Sequence, residues 1–375
     1  MPLSLHRSKD GEKQEAHTNT LVAEIGSMTL EFTRLSQITG DMRYYDAVQR
    51  ITNHFDDQQM QTKLPGMWPV TVNARDIDFR SDTWYTLGAM SDSLYEYLPK
   101  QHLLLGGVTD QYRKLYERAS AVFSIHNFYK PMTKDDANIL FSAGVRSESA
   151  TSTPVPDASM QHLVCFSGGM VALASRIFDH PSDLSTARSL TDGCIWAYKS
   201  LPHGLMSEVS HHIPCANSSG PCPWVESDWH SAVLSHDPNP PAEVPSADQS
   251  ASMLRSSRLP PGYARIDDAR YILRPEAIES VFILYRITGD VAYRDAAWDM
   301  FCAIENATRT AIAHAALDDI LVDPPRQADR MESFWMAETL KYFYLIFTDP
   351  GVVSLDEWVF NTEAHPFRRE GNGEH

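Results

Sequence analysis

Apolar residues recur at helical spacing through most of this chain, and the periodic stretches stop at short clusters of glycine, proline and acid. The clearest instance is a repeat. Leu35-Ser-Gln-Ile-Thr39-Gly40-Asp41-Met-Arg-Tyr44-Tyr-Asp46-Ala47 returns about 250 residues later as Tyr285-Arg-Ile-Thr288-Gly289-Asp290-Val-Ala-Tyr293-Arg-Asp295-Ala296. In each copy a helical segment runs into Thr-Gly-Asp, where glycine ends a helix in the left-handed conformation and aspartate caps the next. The unit predicted is a helical hairpin. Looser versions stand at Ile177-Phe-Asp-His-Pro-Ser-Asp-Leu184 and at Ile346-Phe-Thr-Asp-Pro-Gly-Val-Val-Ser-Leu355, each read as a helix, a breaker-rich turn and a new periodic segment. Repeated helical hairpins stack into solenoids or close into α/α toroids.

Acidic residues choose between those outcomes. Glu24 and Glu31 precede the first Thr-Gly-Asp, Glu276 and Glu279 the second, and Glu332 and Glu338 precede Thr348-Asp349. Asp92 and Glu96 are spaced i, i+4 on one face of a further helix. A solvated stripe explains any single pair, because exposed acids are common on helices. Four helices repeating the theme with interleaved aromatics predict a closed ring whose inner helices aim carboxylates into a shared funnel. From about residue 213 to 262 the chain is rich in Pro, Ser, Asn and Asp and shows no helical period, so a long surface loop within one domain is expected there.

Composition narrows the partners. Among 375 residues, 49 acids against 32 basic residues leave a net charge of −17, which argues against nucleic acid or an anionic membrane surface. No apolar run approaches the roughly 20 residues of a spanning helix. Residues 1 to 20 form a polar lead with no apolar core of a signal peptide, and 369 to 375 a polar tail. Five cysteines and the sequons at Asn217 and Asn306 point instead to an oxidising, glycosylating compartment. His203, His211, His212, His230 and His236 cluster in or beside the irregular segment without metal-ligand spacing.

Six ordered blocks carry a specific resemblance. They are Leu21-Val-Ala-Glu-Ile-Gly-Ser-Met-Thr-Leu-Glu31, Asp92-Ser-Leu-Tyr-Glu96, His162-Leu-Val-Cys165, Leu273-Arg274-Pro275-Glu276-Ala-Ile-Glu279, Glu332-Ser-Phe334-Trp-Met-Ala-Glu338 and Phe360-Asn-Thr362-Glu363. Together, over residues 21 to 368, they resemble the successive signatures of the class I α-1,2-mannosidases, glycoside hydrolase family 47. The resemblance implies an all-α (α/α)7 barrel, incomplete at its N-terminus, and calcium-dependent inverting hydrolysis of terminal α-1,2-linked mannose on the N-glycans of glycoproteins. It further implies a monomer of the secretory pathway.

Inversion needs two carboxyl groups about 6.5–9.5 Å apart, with water between base and sugar. By motif position Glu276 matches the general base, Asp92 a second catalytic carboxylate, and Glu208, in Gly204-Leu-Met-Ser-Glu208, an acid candidate; the residues alone would make Glu208 a loop residue. Thr362 matches the calcium ligand, with Glu279, Glu338 and Glu363 ordering the ion's waters. Glu31, Glu96, His162 and Arg274 match substrate-binding positions, and Phe334 an aromatic beneath the sugar. Cys165 and Cys194 match the family disulfide, while Cys215 and Cys222 flank a short loop and can pair with each other, leaving Cys302 alone.

The family's upstream Phe-Glu-(Ser/Thr)-x-Ile-Arg block, whose Glu is the usual general acid, has no counterpart here. An N-terminally truncated catalytic domain with feeble turnover is therefore expected, since general acid catalysis contributes about 10² to 10⁴ in rate. Met90 stands where some members place a specificity-setting Arg, so the branch trimmed is left open. The readings of other classes are an oligomannose-binding quality-control protein with little or no turnover, and a fragment lacking its acid.

Overall fold

The computed structural model describes residues 15–218, 220–236 and 246–369. It is mostly helical, with short antiparallel sheets of two or three strands. The chain divides into two units. The first comprises Met1–Asn127, Gly144–Asp157 and Ser354–His375, and the second Phe128–Ala143 and Ala158–Val353.

The first unit contains α1 (Val22–Gly26), α2 (Thr29–Thr39), α3 (Arg43–Gln59), α4 (Asp92–Leu104) and α5 (Gln111–His126). The predicted hairpin is α2–α3. Gly40 takes φ +70°, its N–H donates to Ser36 O, the Thr39 hydroxyl donates to Leu35 O, and Asp41 accepts from the Arg43 N–H. Burying Leu30, Tyr97, Leu104 and Val359 together packs α2 and α4 against the strand Trp358–Phe360. That strand pairs with Pro366–Arg368 in a hairpin of register Phe360 to Pro366.

The second unit contains α6 (Phe166–Ile177), α7 (Asp183–Ser200), α8 (Glu226–Ser235), α9 (Ala247–Ser257), α10 (Glu276–Thr288), α11 (Val291–Thr308) and α12 (Leu340–Ile346). The α10–α11 hairpin repeats the α2–α3 turn bond for bond. Gly289 takes φ +68°, the Thr288 hydroxyl donates to Leu284 O, and Asp290 accepts from Ala292 N–H. The looser α6–α7 hairpin is present too, and the Cys165–Cys194 disulfide joins the start of α6 to α7. A three-stranded sheet places Val209–His212 between Ser159–Gln161 and Tyr263–Asp268, with Ser210 opposite Met160 and Ile266.

Two expectations from the pattern fail. The segment 213 to 262 is not one irregular loop: it holds α8 and α9, and Cys215 pairs with Cys222 within it. Helix α8 escapes a periodicity reading because Val233 is its one buried residue. First-turn Glu226 and Asp228 favour its N-terminus, and the Trp229 indole donates to Tyr263 O. The second failure follows Ile346, where turns lead into the Trp358–Phe360 strand in place of a new helix. Pro350 and Gly351 break the helical period there.

The acids divide as well. Glu24 is exposed and Glu332 precedes the helical turns, whereas Glu96, Glu279 and Glu338 are buried and Glu31, Asp92 and Glu276 half-buried. Among the described residues no helix is long and apolar enough to cross a membrane.

Close helix packing makes a testable demand on α7. A Cβ on Gly193 meets the backbone oxygen of Leu140 at 2.3 Å and the Phe141 ring at 3.2 Å. Alanine gains up to about 1 kcal/mol of helix propensity over glycine, but a backbone oxygen in a packed loop cannot yield as a side chain would. Gly193→Ala is expected to lower stability by about 1–3 kcal/mol, measured by chemical denaturation; unchanged or increased stability contradicts this packing.

Candidate active site

In the second unit the segment Tyr271–Glu276 turns sharply before α10. Leu273, wholly buried, sits at φ +67°, a conformation costly for a β-carbon-bearing residue. The Thr339 hydroxyl holds its carbonyl at 2.7 Å from the π-helical turn Trp335–Thr339. This turn aims Arg274 at two carboxylates. Arg274 Nε donates to Glu208 Oε2 at 2.6 Å, and Arg274 Nη1 stands 3.5 Å from Glu276 Oε1. The guanidinium also lies 5.8 Å from the centre of the Phe334 ring.

Glu208 enters from the run before the central strand, fixed by its N–H to Arg270 O and by the His162 N–H to its own carbonyl. Its carboxyl is buried, and Oε1 accepts no hydrogen bond from the described residues. Burial raises the Glu208 carboxyl above the usual carboxylate range, and the neighbouring charge of Glu276 adds to the rise; His162 and Arg274 oppose it. Glu276 opens α10 and meets His162 Nδ1 at 3.1 Å. His162, expected to touch substrate, is wholly buried behind Glu276, with Nε2 at 2.8 Å from the Tyr198 hydroxyl. Sequence reasoning missed Tyr198; its one signal is its place a helical turn after Cys194. Glu279 lies buried in the first turn of α10, and Glu338 in the π-helical turn.

In the first unit a separate cluster forms. Glu31 Oε1 accepts from the Tyr97 hydroxyl at 2.7 Å and from Asn361 Nδ2 at 2.8 Å, while the Thr362 N–H donates to the Tyr97 oxygen at 3.2 Å. Asn361 Oδ1 closes the turn by accepting from the N–H groups of Glu363 and His365. Glu31 Oε2 is buried and accepts no hydrogen bond from the described residues. Among the described residues no three His, Cys, Asp or Glu side chains gather as a metal cage. The donors beside Thr362 are oxygens, among them a buried carboxylate oxygen with lone pairs to spare. This set fits a hard cation bound through hydroxyl, carbonyl and water better than a softer metal.

On α4, Asp92 accepts from the Ser93 N–H, and Glu96 forms a buried ion pair with Lys100. Glu363 is exposed, and exposed Met90 takes φ +74°. The structure thus gathers His162, Glu208, Arg274, Glu276 and Phe334 in one unit and Glu31 and Thr362 in the other.

Paired carboxylates of unlike burial around one guanidinium, set among helical hairpins, suit the acid and base chemistry of a glycosidase. The glycosyl hydrolase family 47 profile matches residues 1–369, and the chain belongs to that family. It is 31% identical over 360 residues to mannosyl-oligosaccharide alpha-1,2-mannosidase IA of Spodoptera frugiperda, covering 95% of this chain and 45% of the relative. To the human endoplasmic reticulum mannosyl-oligosaccharide 1,2-alpha-mannosidase it is 31% identical over 352 residues, covering 93% and 43%. The solved alpha-1,2-mannosidase from Trichoderma reesei superposes with a TM-score of 0.75 at 26% identity, over 96% of this chain and 68% of that one. Its fold confirms the all-α class, and in this family that fold is an (α/α)7 barrel. The chain spans about half the length of the curated relatives it matches.

Arg274→Met leaves two carboxylates facing each other without their cation and is expected to cost about 3–5 kcal/mol at neutral pH. The raised Glu208 carboxyl sets the sign: a group whose folded pKa exceeds its unfolded value loses stability as pH rises through the folded value. Removing Arg274 raises it further, so the cost should shrink from neutral to acidic pH as Glu208 protonates. Denaturation of both proteins at the two pH values measures this; an equal cost at both contradicts it.

Proposed function

We propose that the chain hydrolyses terminal α-1,2-linked mannose of oligomannose N-glycans with inversion, in a calcium-dependent reaction. The observation that carries this reading is the unlike pair Glu208 and Glu276 on Arg274. Glu276, held by His162, takes a proton from the attacking water as general base. Glu208, whose burial favours the protonated form, gives a proton to the departing sugar oxygen. Arg274 keeps both carboxyls oriented and offsets the charge on Glu276. Phe334 offers an apolar face suited to the sugar ring, and Asp92 keeps the role of second catalytic carboxylate that its motif implies. Glu279, Glu338 and Glu363 keep their substrate and water contacts on the same ground.

Thr362 would hold the calcium through its hydroxyl and carbonyl, with Glu31 Oε2 able to accept from a water of that ion. Bound calcium supplies a hard centre for vicinal sugar hydroxyl oxygens. The Tyr97 and Asn361 bonds fix the turn that presents Thr362. The two disulfides and the names of the relatives support a place in the secretory pathway.

Glu276→Gln should lower mannose release from an α-1,2-mannobiosyl substrate by at least about 10²-fold while calcium-dependent substrate binding survives; chelation should abolish both. Release assays and calorimetry with and without chelator read this out. Unchanged turnover in the variant removes Glu276 from the mechanism.

A further inference from the structure

The proposed base does not stand alone. Behind Glu276, His162 uses both ring nitrogens: Nδ1 at 3.1 Å from Glu276 Oε2 and Nε2 at 2.8 Å from the Tyr198 hydroxyl. His162 begins the 3₁₀ turn His162–Cys165, and Tyr198 lies on α7 one turn beyond Cys194, so the disulfide ties together the two elements that bring them face to face. Both side chains are buried, and the Tyr271 ring packs edge-on against each, at 6.3 Å from His162 and 6.2 Å from Tyr198.

The order of protons in this chain follows from which groups can donate. An ionised carboxylate only accepts, so the nitrogen facing Glu276 must carry hydrogen. In a neutral imidazole the other nitrogen is then a bare acceptor and needs a donor, and the hydroxyl facing it belongs to Tyr198. A doubly protonated ring would instead donate at Nε2 and turn the Tyr198 proton towards the neighbouring Tyr271 hydroxyl. Burial holds the Tyr198 hydroxyl well above its ordinary pKa, which keeps it a donor. The charged and titratable groups around the ring are Glu276, Glu208, whose carbonyl accepts the His162 N–H, Arg274 beyond the two carboxylates, and the tyrosines 198 and 271.

We propose that Tyr198 is a positioning residue for the base: it donates to His162 Nε2, so that the ring proton resides on Nδ1 and is donated to Glu276 Oε2, leaving Oε1 to receive the proton of water. This rests on the hydrolytic reading of Glu276. The general chemistry is that of a base whose orienting imidazole is itself oriented by a third group.

The test begins with ¹⁵N spectra of histidine-labelled protein, His162 being assigned by its loss in His162→Gln. A protonated Nδ1 with a bare Nε2 is expected; a bare Nδ1 overturns the proposal. This spectrum requires no hydrolysis. A wild-type chain that released no mannose would therefore sink the hydrolase reading alone, and the spectrum would still decide the hydrogen-bond order. In kinetics, Tyr198→Phe should lower kcat about tenfold with KM within about twofold. The acid limb of its pH profile should move to higher pH, because a carboxylate with a weakened donor is a stronger base. Unchanged kcat and acid limb overturn the positioning role. Should Tyr198→Phe fail to fold, His162→Gln and His162→Leu supply the comparison: the amide of Gln can donate to Glu276 unaided, so Gln should retain several-fold more kcat than Leu. Equal losses overturn the proposal.

Discussion

The second unit is organised around one guanidinium. Arg274 can face Glu208 and Glu276 together only because Leu273 adopts a left-handed backbone, whose cost is offset by complete burial of its side chain and by the Thr339 hydroxyl on its carbonyl. Two half-buried or buried carboxylates close to one another repel, and a dehydrated carboxylate is costly on its own. With Arg274 between them the pair can persist while remaining unequal. Glu208 lies deeper, and burial raises its carboxyl above the usual carboxylate range. That inequality is what acid and base roles at one pH require.

Much of the surrounding architecture serves to keep this arrangement rigid. The disulfide fixes the turn bearing His162 against α7, and Ser280 on α10 bonds both Cys165 O and the Gly169 N–H, stitching α10 to the start of α6. In the first unit the analogous economy is the Glu31 carboxylate. One of its oxygens gathers Tyr97 and Asn361, which set the Thr362 turn, and the other stays free of hydrogen bonds from the described residues.

The helical hairpins were legible in the sequence because Thr-Gly-Asp is a local code: glycine φ, threonine back-bonding and the aspartate cap act within a few residues and reproduce the same turn twice. The short strands carry too few residues for a two-residue period to register, and α8 is held by contacts to a distant strand more than by its own amphipathicity. Side-chain partnerships were legible only where a family motif marked them. Nothing local joins Glu31 to Asn361, 330 residues apart, or His162 to Glu276 across 114 residues. Tyr198 belongs to no motif and becomes meaningful only when its hydroxyl is seen against His162 Nε2.

The proposed roles, with Glu276 activating water and Glu208 protonating the leaving oxygen, have a stereochemical consequence. Proton NMR of mannose freshly released from an α-1,2-linked substrate, recorded before mutarotation, is the most direct examination of it. Inversion predicts that the β-anomer appears first and the α-anomer follows only by mutarotation. Initial release of the α-anomer would contradict the base role of Glu276 and the account built on the Arg274 pair.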